Sequence, residues 1–156
     1  VAKTPVVKTS IAAMEIDGLA PTLRAFNTYG KEANAELRDA SGKIAGKTAA
    51  QAAHVGASLP QQAPLAASSL RVARDRVPAL QMGGARKVGH RRAPVGALIY
   101  GAEFGGRGSS KTMQFLPHRG RDGYFLFPTI RARGLDDTAI YLEHLDALGA
   151  RWAAVT

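Results

Sequence analysis

The chain has 156 residues, no cysteine, and 21 Lys plus Arg against 12 Asp plus Glu, for a formal net charge of +9. That length supports the core of one domain. The missing cysteines exclude disulfides, thiolate metal sites and a thiol nucleophile. The four histidines lack the short spacing of zinc ligands. No run approaches the ~18 apolar residues of a membrane span, and the N-terminus has no continuous apolar stretch of the secretory kind. A soluble protein made in a cytoplasm, with no membrane partner, is the expectation.

Residues 1–13 carry Lys3, Pro5 and Lys8 without an apolar period and read as a flexible arm on a domain spanning 14–156. From Ile16 two rows spaced by seven begin. One holds Ile16, Leu23, Gly30, Leu37 and Ile44, the other Leu19, Phe26, Ala33 and Ala40. They predict one long amphipathic helix running to about Ala57, with Asp17 as its N-cap and Pro21 in the first turn. Gly42 and Gly46 each cost about 1 kcal/mol relative to alanine, so a bend or fraying is expected there. The stripe is rich in Ala and Gly, which favours close packing against a sheet or another helix.

After Pro60 and Pro64, Ser68 to Arg74 and Pro78 to Met82 alternate with period two and predict two short strands joined at Asp75 to Val77. Gly83-Gly84 opens a basic loop to Arg92. Between Arg71 and Arg92 seven cations face Asp75 alone. Arg86, Lys87, Arg91 and Arg92 are therefore candidate contacts for DNA or an acidic partner. No aromatic residue interleaves them as base-stacking platforms would require, and a solvated loop is the plainer reading.

Ala93 to Phe104 is a short apolar run, read as a helix on the strength of Pro94. Residues 105–123 form a glycine-rich loop. Tyr124 to Phe127 reads as an aromatic strand. Pro128 opens a second long helix, broken at Gly134 and restarted at Asp136 and Asp137, with Tyr141, Leu145, Leu148 and Trp152 on one face. The expected class is α+β: a long N-terminal helix, a small antiparallel sheet and a C-terminal amphipathic helix.

Little in the chain points to catalysis. Gly105 to Thr112 imitates a phosphate loop, but Ser110 stands where glycine must precede Lys111. His118, Asp122, Ser109 and Ser110 have no nucleophile elbow to organise them. His144 beside Glu143 reads as a surface residue. Glu103 is the one carboxylate in an apolar run and reads as an anchor for loop amides or an arginine. No catalytic residue, cofactor or metal is expected.

Leu98-Ile99-Tyr100-Gly101-Ala102-Glu103-Phe104-Gly105-Gly106 resembles the aromatic–apolar–Glu–Phe–Gly signature of small siphophage tail-completion proteins, the lambda Z-like minor tail components. Tyr124-Phe125-Leu126-Phe127-Pro128-Thr129-Ile130 stands where that family has a proline step before its final helix. Ile16-Asp17-Gly18-Leu19 resembles its start. The likeness covers about 14–153. It departs at Gly106, where threonine is usual, at Thr129, where alanine is usual, and in a longer stretch from Gly106 to Gly123.

The resemblance implies a non-catalytic virion protein of the head–tail connector, a ring of six copies. Its partners would be the stopper, the terminator and the tail tube or tape measure. It implies that Glu103, Phe104, Gly105, Phe127 and Pro128 form a structural or interface motif. A tail terminator and a small basic DNA-binding protein are the alternatives.

Overall fold

Gly18 takes left-handed backbone (φ 78°), and helix α1 (Leu19–Thr28) follows with Pro21 in its first turn, where a missing N–H costs nothing. The computed structural model describes residues 18–106 and 113–155; the expected arm at 1–13 and the N-cap at Asp17 lie outside them. The single helix expected from Ile16 to Ala57 is in fact two. Tyr29 and Gly30 break it, and α2 spans Gly30–Ser58. Gly30 sits at φ 92°, in a region closed to most side chains. Carbonyls near the end of α1 find distant donors. Arg76 Nη1 donates to Leu23 O at 2.8 Å, and Asn34 Nδ2 donates to Phe26 O at 2.8 Å. Those two bonds make the break affordable.

Gly42 and Gly46 do not end α2, which stays helical to Ser58. Of the two seven-spaced rows, Phe26, Ala33, Leu37 and Ile44 are buried and Leu19, Leu23 and Ala40 half-buried, whereas Gly30, at the break, is exposed and Ile16 lies outside the described residues. Gly56 is needed for close approach, since a Cβ there would overlap the Ala67 methyl and touch the Phe125 ring. This lets the short helix α3 (Ala63–Ala67) and Phe125 lie directly on α2.

The two strands expected at Ser68 to Arg74 and Pro78 to Met82 form in shorter versions, β1 (Arg71–Val72) antiparallel with β2 (Leu80–Gln81), Val72 opposite Leu80. The expected basic loop is instead a second antiparallel pair, β3 (Lys87–Val88) with β4 (Ala93–Pro94). Its turn uses Gly89 and Arg92, both at positive φ. Pro94 therefore belongs to a strand, a 3-10 turn over Val95–Ala97 follows, and only Ile99–Phe104 forms the helix α4.

The aromatic strand expected at Tyr124 to Phe127 does not form. Helix α5 runs from Leu126 to Ala153 without a break at Gly134 or a restart at Asp136. Pro128 lies in its first turn. Contacts of α5 with α2 run Phe125 to Gly56, Asp137 to Thr48 and Trp152 to Glu36, so the two long helices pack antiparallel.

Tyr141 and Leu145 join Phe26, Leu37 and Ile44 in one cluster, with Leu148 and Trp152 at its edge. Phe125 and Leu126 join Ala52, Ala66 and Ala102 in a second. Each large buried side chain contributes roughly 1.5–3 kcal/mol. The fold is α+β, with its weight in the helices.

Candidate functional site

The residues singled out from the sequence fall into two groups, one buried and one exposed. The buried group is a joint between α4 and α5. Glu103 is 1% exposed. Its carboxylate accepts N–H bonds from Phe125 (3.3 Å), Leu126 (2.9 Å) and Phe127 (2.9 Å). These are N–H groups that the first turn of any helix leaves unpaired, and a carboxylate there also meets the positive end of the helix dipole.

Burial pushes the Glu103 pKa up, while the backbone N–H bonds of Phe127, Leu126, Phe125 and Tyr124 pull it back; burial prevails. Gly123, at φ 73°, stands where any Cβ would run into the carboxylate.

Phe104 packs its ring against Phe127 with centroids 5.2 Å apart. Gly105, at φ 79°, passes so close to Pro117 that a Cβ would enter the proline carbonyl. Around it Gly106 N–H donates to Leu116 O and Arg119 N–H to Phe104 O, both at 2.8 Å. Part of the glycine-rich stretch is thus pinned rather than loose. Tyr124 closes the joint, its hydroxyl donating to Pro117 O at 2.6 Å and its ring lying under the Arg119 guanidinium. Glu103 and Phe104 thus meet Phe127, some twenty residues on, with Pro128 next to it in the first turn of α5 and Gly105 seated against Pro117. Glu103 is the anchor of amides that its sequence context indicated, and among the described residues it pairs with no arginine.

The exposed group is the β3–β4 hairpin. Arg86, Lys87, Arg91 and Arg92 are all exposed on it. Arg86 Nη2 donates to Ser68 Oγ at 2.8 Å, and among the described residues none of the four forms an ion pair. Beside them lies an open groove of about 400 Å³ lined by Gln62, His90, Arg91, Leu98 and Gln114. A second, of about 390 Å³, lies between α2 and β1 with Arg38, Asp39, Lys43 and Arg74 on its walls.

Two other cations of the same sequence stretch, Arg71 and Arg76, are bonded within the fold. Arg71 holds Gln81 Oε1 and Gly83 O. Arg76 ties the β1–β2 turn to the α1–α2 break, and its carbonyl accepts from Ser41 Oγ (2.8 Å) and Tyr141 OH (2.9 Å). Burial pushes the Tyr141 pKa up to about 12, Arg76 opposing and Asp75 adding to it. Nothing in the local pattern marks Arg76 as structural; its partners are 35 to 65 residues away.

Asp136 and Asp137, expected at a helix start, lie inside α5. Asp137 accepts from Thr48 Oγ1 and pairs with Arg133 at 3.0 Å. His118 and Asp122 are exposed, and Ser109, Ser110 and Lys111 lie outside the described residues. Helix α4 precedes Gly105, whereas a phosphate loop needs a strand there. Among the described residues no cluster of His, Asp or Glu is placed to hold a metal, and no helix is long and apolar enough to cross a membrane.

No family model, curated protein sequence or solved structure matches this chain.

Proposed function

We propose that this chain is a structural subunit of the head–tail connector of a tailed phage, a tail-completion protein that assembles with copies of itself into a ring of six. The observation that carries the reading is the joint. The two segments resembling the tail-completion signature, Glu103-Phe104-Gly105 and Phe127-Pro128, meet there as a cap and a packed ring pair. The carboxylate is occupied by backbone N–H groups, which suits a part that holds two elements at a fixed angle. In this reading the protein resides in the virion, meets the stopper, terminator and tail tube or tape measure, and performs no catalysis.

Deleting the gene from the genome that encodes it tests the proposal. Filled heads and separate tails, joined again when the gene is supplied in trans, are expected. Normal infectious yield without it would overturn the reading, as would neighbouring genes that include no portal, stopper or tail-tube protein.

The exposed cations of the hairpin favour one other reading, a small basic DNA-binding protein. Tight, sequence-selective binding by the monomer would support that alternative. As a connector subunit the chain binds duplex DNA weakly, without sequence preference, and with affinity falling steeply as salt rises.

A further inference from the structure

The outward face of α5 differs in charge from the rest of this basic chain. Between Arg131 and Arg151 its exposed residues include Asp136, Glu143 and Asp146 and no Lys or Arg. Arg133, the one cation in that interval, is partly buried and paired with Asp137. At 3.6 residues per turn, Leu135, Asp136, Ala139, Ile140, Glu143 and Asp146 fall within one arc of about 140°. Leu135 is 78% exposed and Ile140 38%. This is an acidic face with an apolar centre, and the three acids form no ion pair among the described residues.

The β3–β4 hairpin is its complement. Arg86, Lys87, Arg91 and Arg92 are exposed and unpaired with any acid among the described residues, and Pro94 beside them is exposed too. The three acids span about 15 Å along the helix, a length that four long cationic side chains on one hairpin can cover. Each copy carries one surface of each sign, and within a copy no cation of the hairpin is bonded to an acid of α5.

We infer that the hairpin of one copy docks on the outward face of α5 in a second copy. The contact joins two different surfaces and is therefore head-to-tail, the type that closes into a ring when its rotation permits. Duplex DNA would satisfy the hairpin but not the acidic helix, whereas a second copy satisfies both. The inference rests on the self-assembly proposed above and names the surfaces that perform it.

The test is sedimentation velocity on the full chain at low and high salt. The wild type should associate, and less so as salt rises, because exposed charges are screened. R91E/R92E and D136K/E143K should each weaken association at least tenfold. Mixing the two variants, or combining all four changes in one chain, should restore it, since either way each acidic surface again faces a basic one. Melting curves check the fold. If a reversal variant fails to fold, the neutral pair R91Q/R92Q and D136N/E143N should each still weaken association, and mixing them should restore only the single contact between the intact hairpin of the second and the intact α5 face of the first.

Wild-type assembly that persists in both reversals overturns this docking and leaves the ring reading standing. A wild-type chain that stays monomeric at low salt overturns both. Loss of DNA binding in R91E/R92E with assembly intact would mean the hairpin faces nucleic acid, and would also overturn the docking.

Discussion

The α4–α5 joint and the β3–β4 hairpin both carry charge, and they use it in opposite ways. At the joint one carboxylate is buried and surrounded by backbone N–H groups from three successive residues. On the hairpin four cations stand in water, only one of them with a hydrogen bond to a neighbouring side chain that the structure describes. A buried charge without partners costs several kcal/mol, so it survives only where the fold consumes it. An exposed charge costs the fold almost nothing and remains free for a partner. Substitutions at the joint should therefore cost stability, and those on the hairpin should cost association.

The largest loss is expected for Gly105→Ala. The new methyl enters the Pro117 carbonyl, and the backbone is held at φ 79°. Displacing backbone and forcing a left-handed alanine together should cost about 2–5 kcal/mol, read as a lower midpoint in urea.

Next come Glu103→Ala and Gly123→Ala, each expected to cost about 1–3 kcal/mol, since one removes the cap and the other displaces it. The double variant should lose less than the sum, because the Gly123 methyl collides with the same carboxylate that Glu103→Ala deletes. Full additivity would mean that the collision is relieved some other way.

Tyr141→Phe removes a hydrogen bond to the Arg76 carbonyl and should cost about 1 kcal/mol at neutral pH. The phenol's folded pKa, about 12, lies above the ordinary value of 10.0. The folded protein thus holds this proton more tightly than the unfolded chain. The stability tied to it is complete below pH 10 and is lost as pH climbs to 12. Denaturant unfolding of both forms across that window should show the wild type declining more steeply than the variant.

The smallest change in stability is expected on the hairpin. Reversing Arg91 and Arg92 should move the unfolding free energy by less than about 0.5 kcal/mol. A drop comparable to that of Glu103→Ala would mean the hairpin belongs to the core rather than to a surface free for partners.

Much of this was legible in the chain. The seven-spaced rows located the faces of α1 and α2 that are buried, and the spacing of Tyr141, Leu145, Leu148 and Trp152 located the inner face of α5. Period-two alternation placed β1 and β2. A lone Glu103 in an apolar run pointed to an anchor of amides, and the cation excess pointed to an exposed basic segment, expected as a loop and found as the β3–β4 hairpin. Such patterns are local. They record which way successive side chains point, and burial then follows from the hydrophobic effect.

Where elements begin and end was decided elsewhere. The break at Gly30 depends on Arg76, more than forty residues on, reaching the Leu23 carbonyl. Tyr124 to Phe127 has strand-like composition, yet α5 starts there because Glu103 supplies the acceptors its first N–H groups need. Gly134 costs about 1 kcal/mol in a helix, and α5 continues through it because Arg133 and Asp137 bond across to Thr48. Side-chain periodicity in this sequence determined which faces are buried. The ends of its elements were left to the tertiary structure, because the unpaired N–H and C=O groups of a helix terminus can be satisfied by residues from anywhere in the chain.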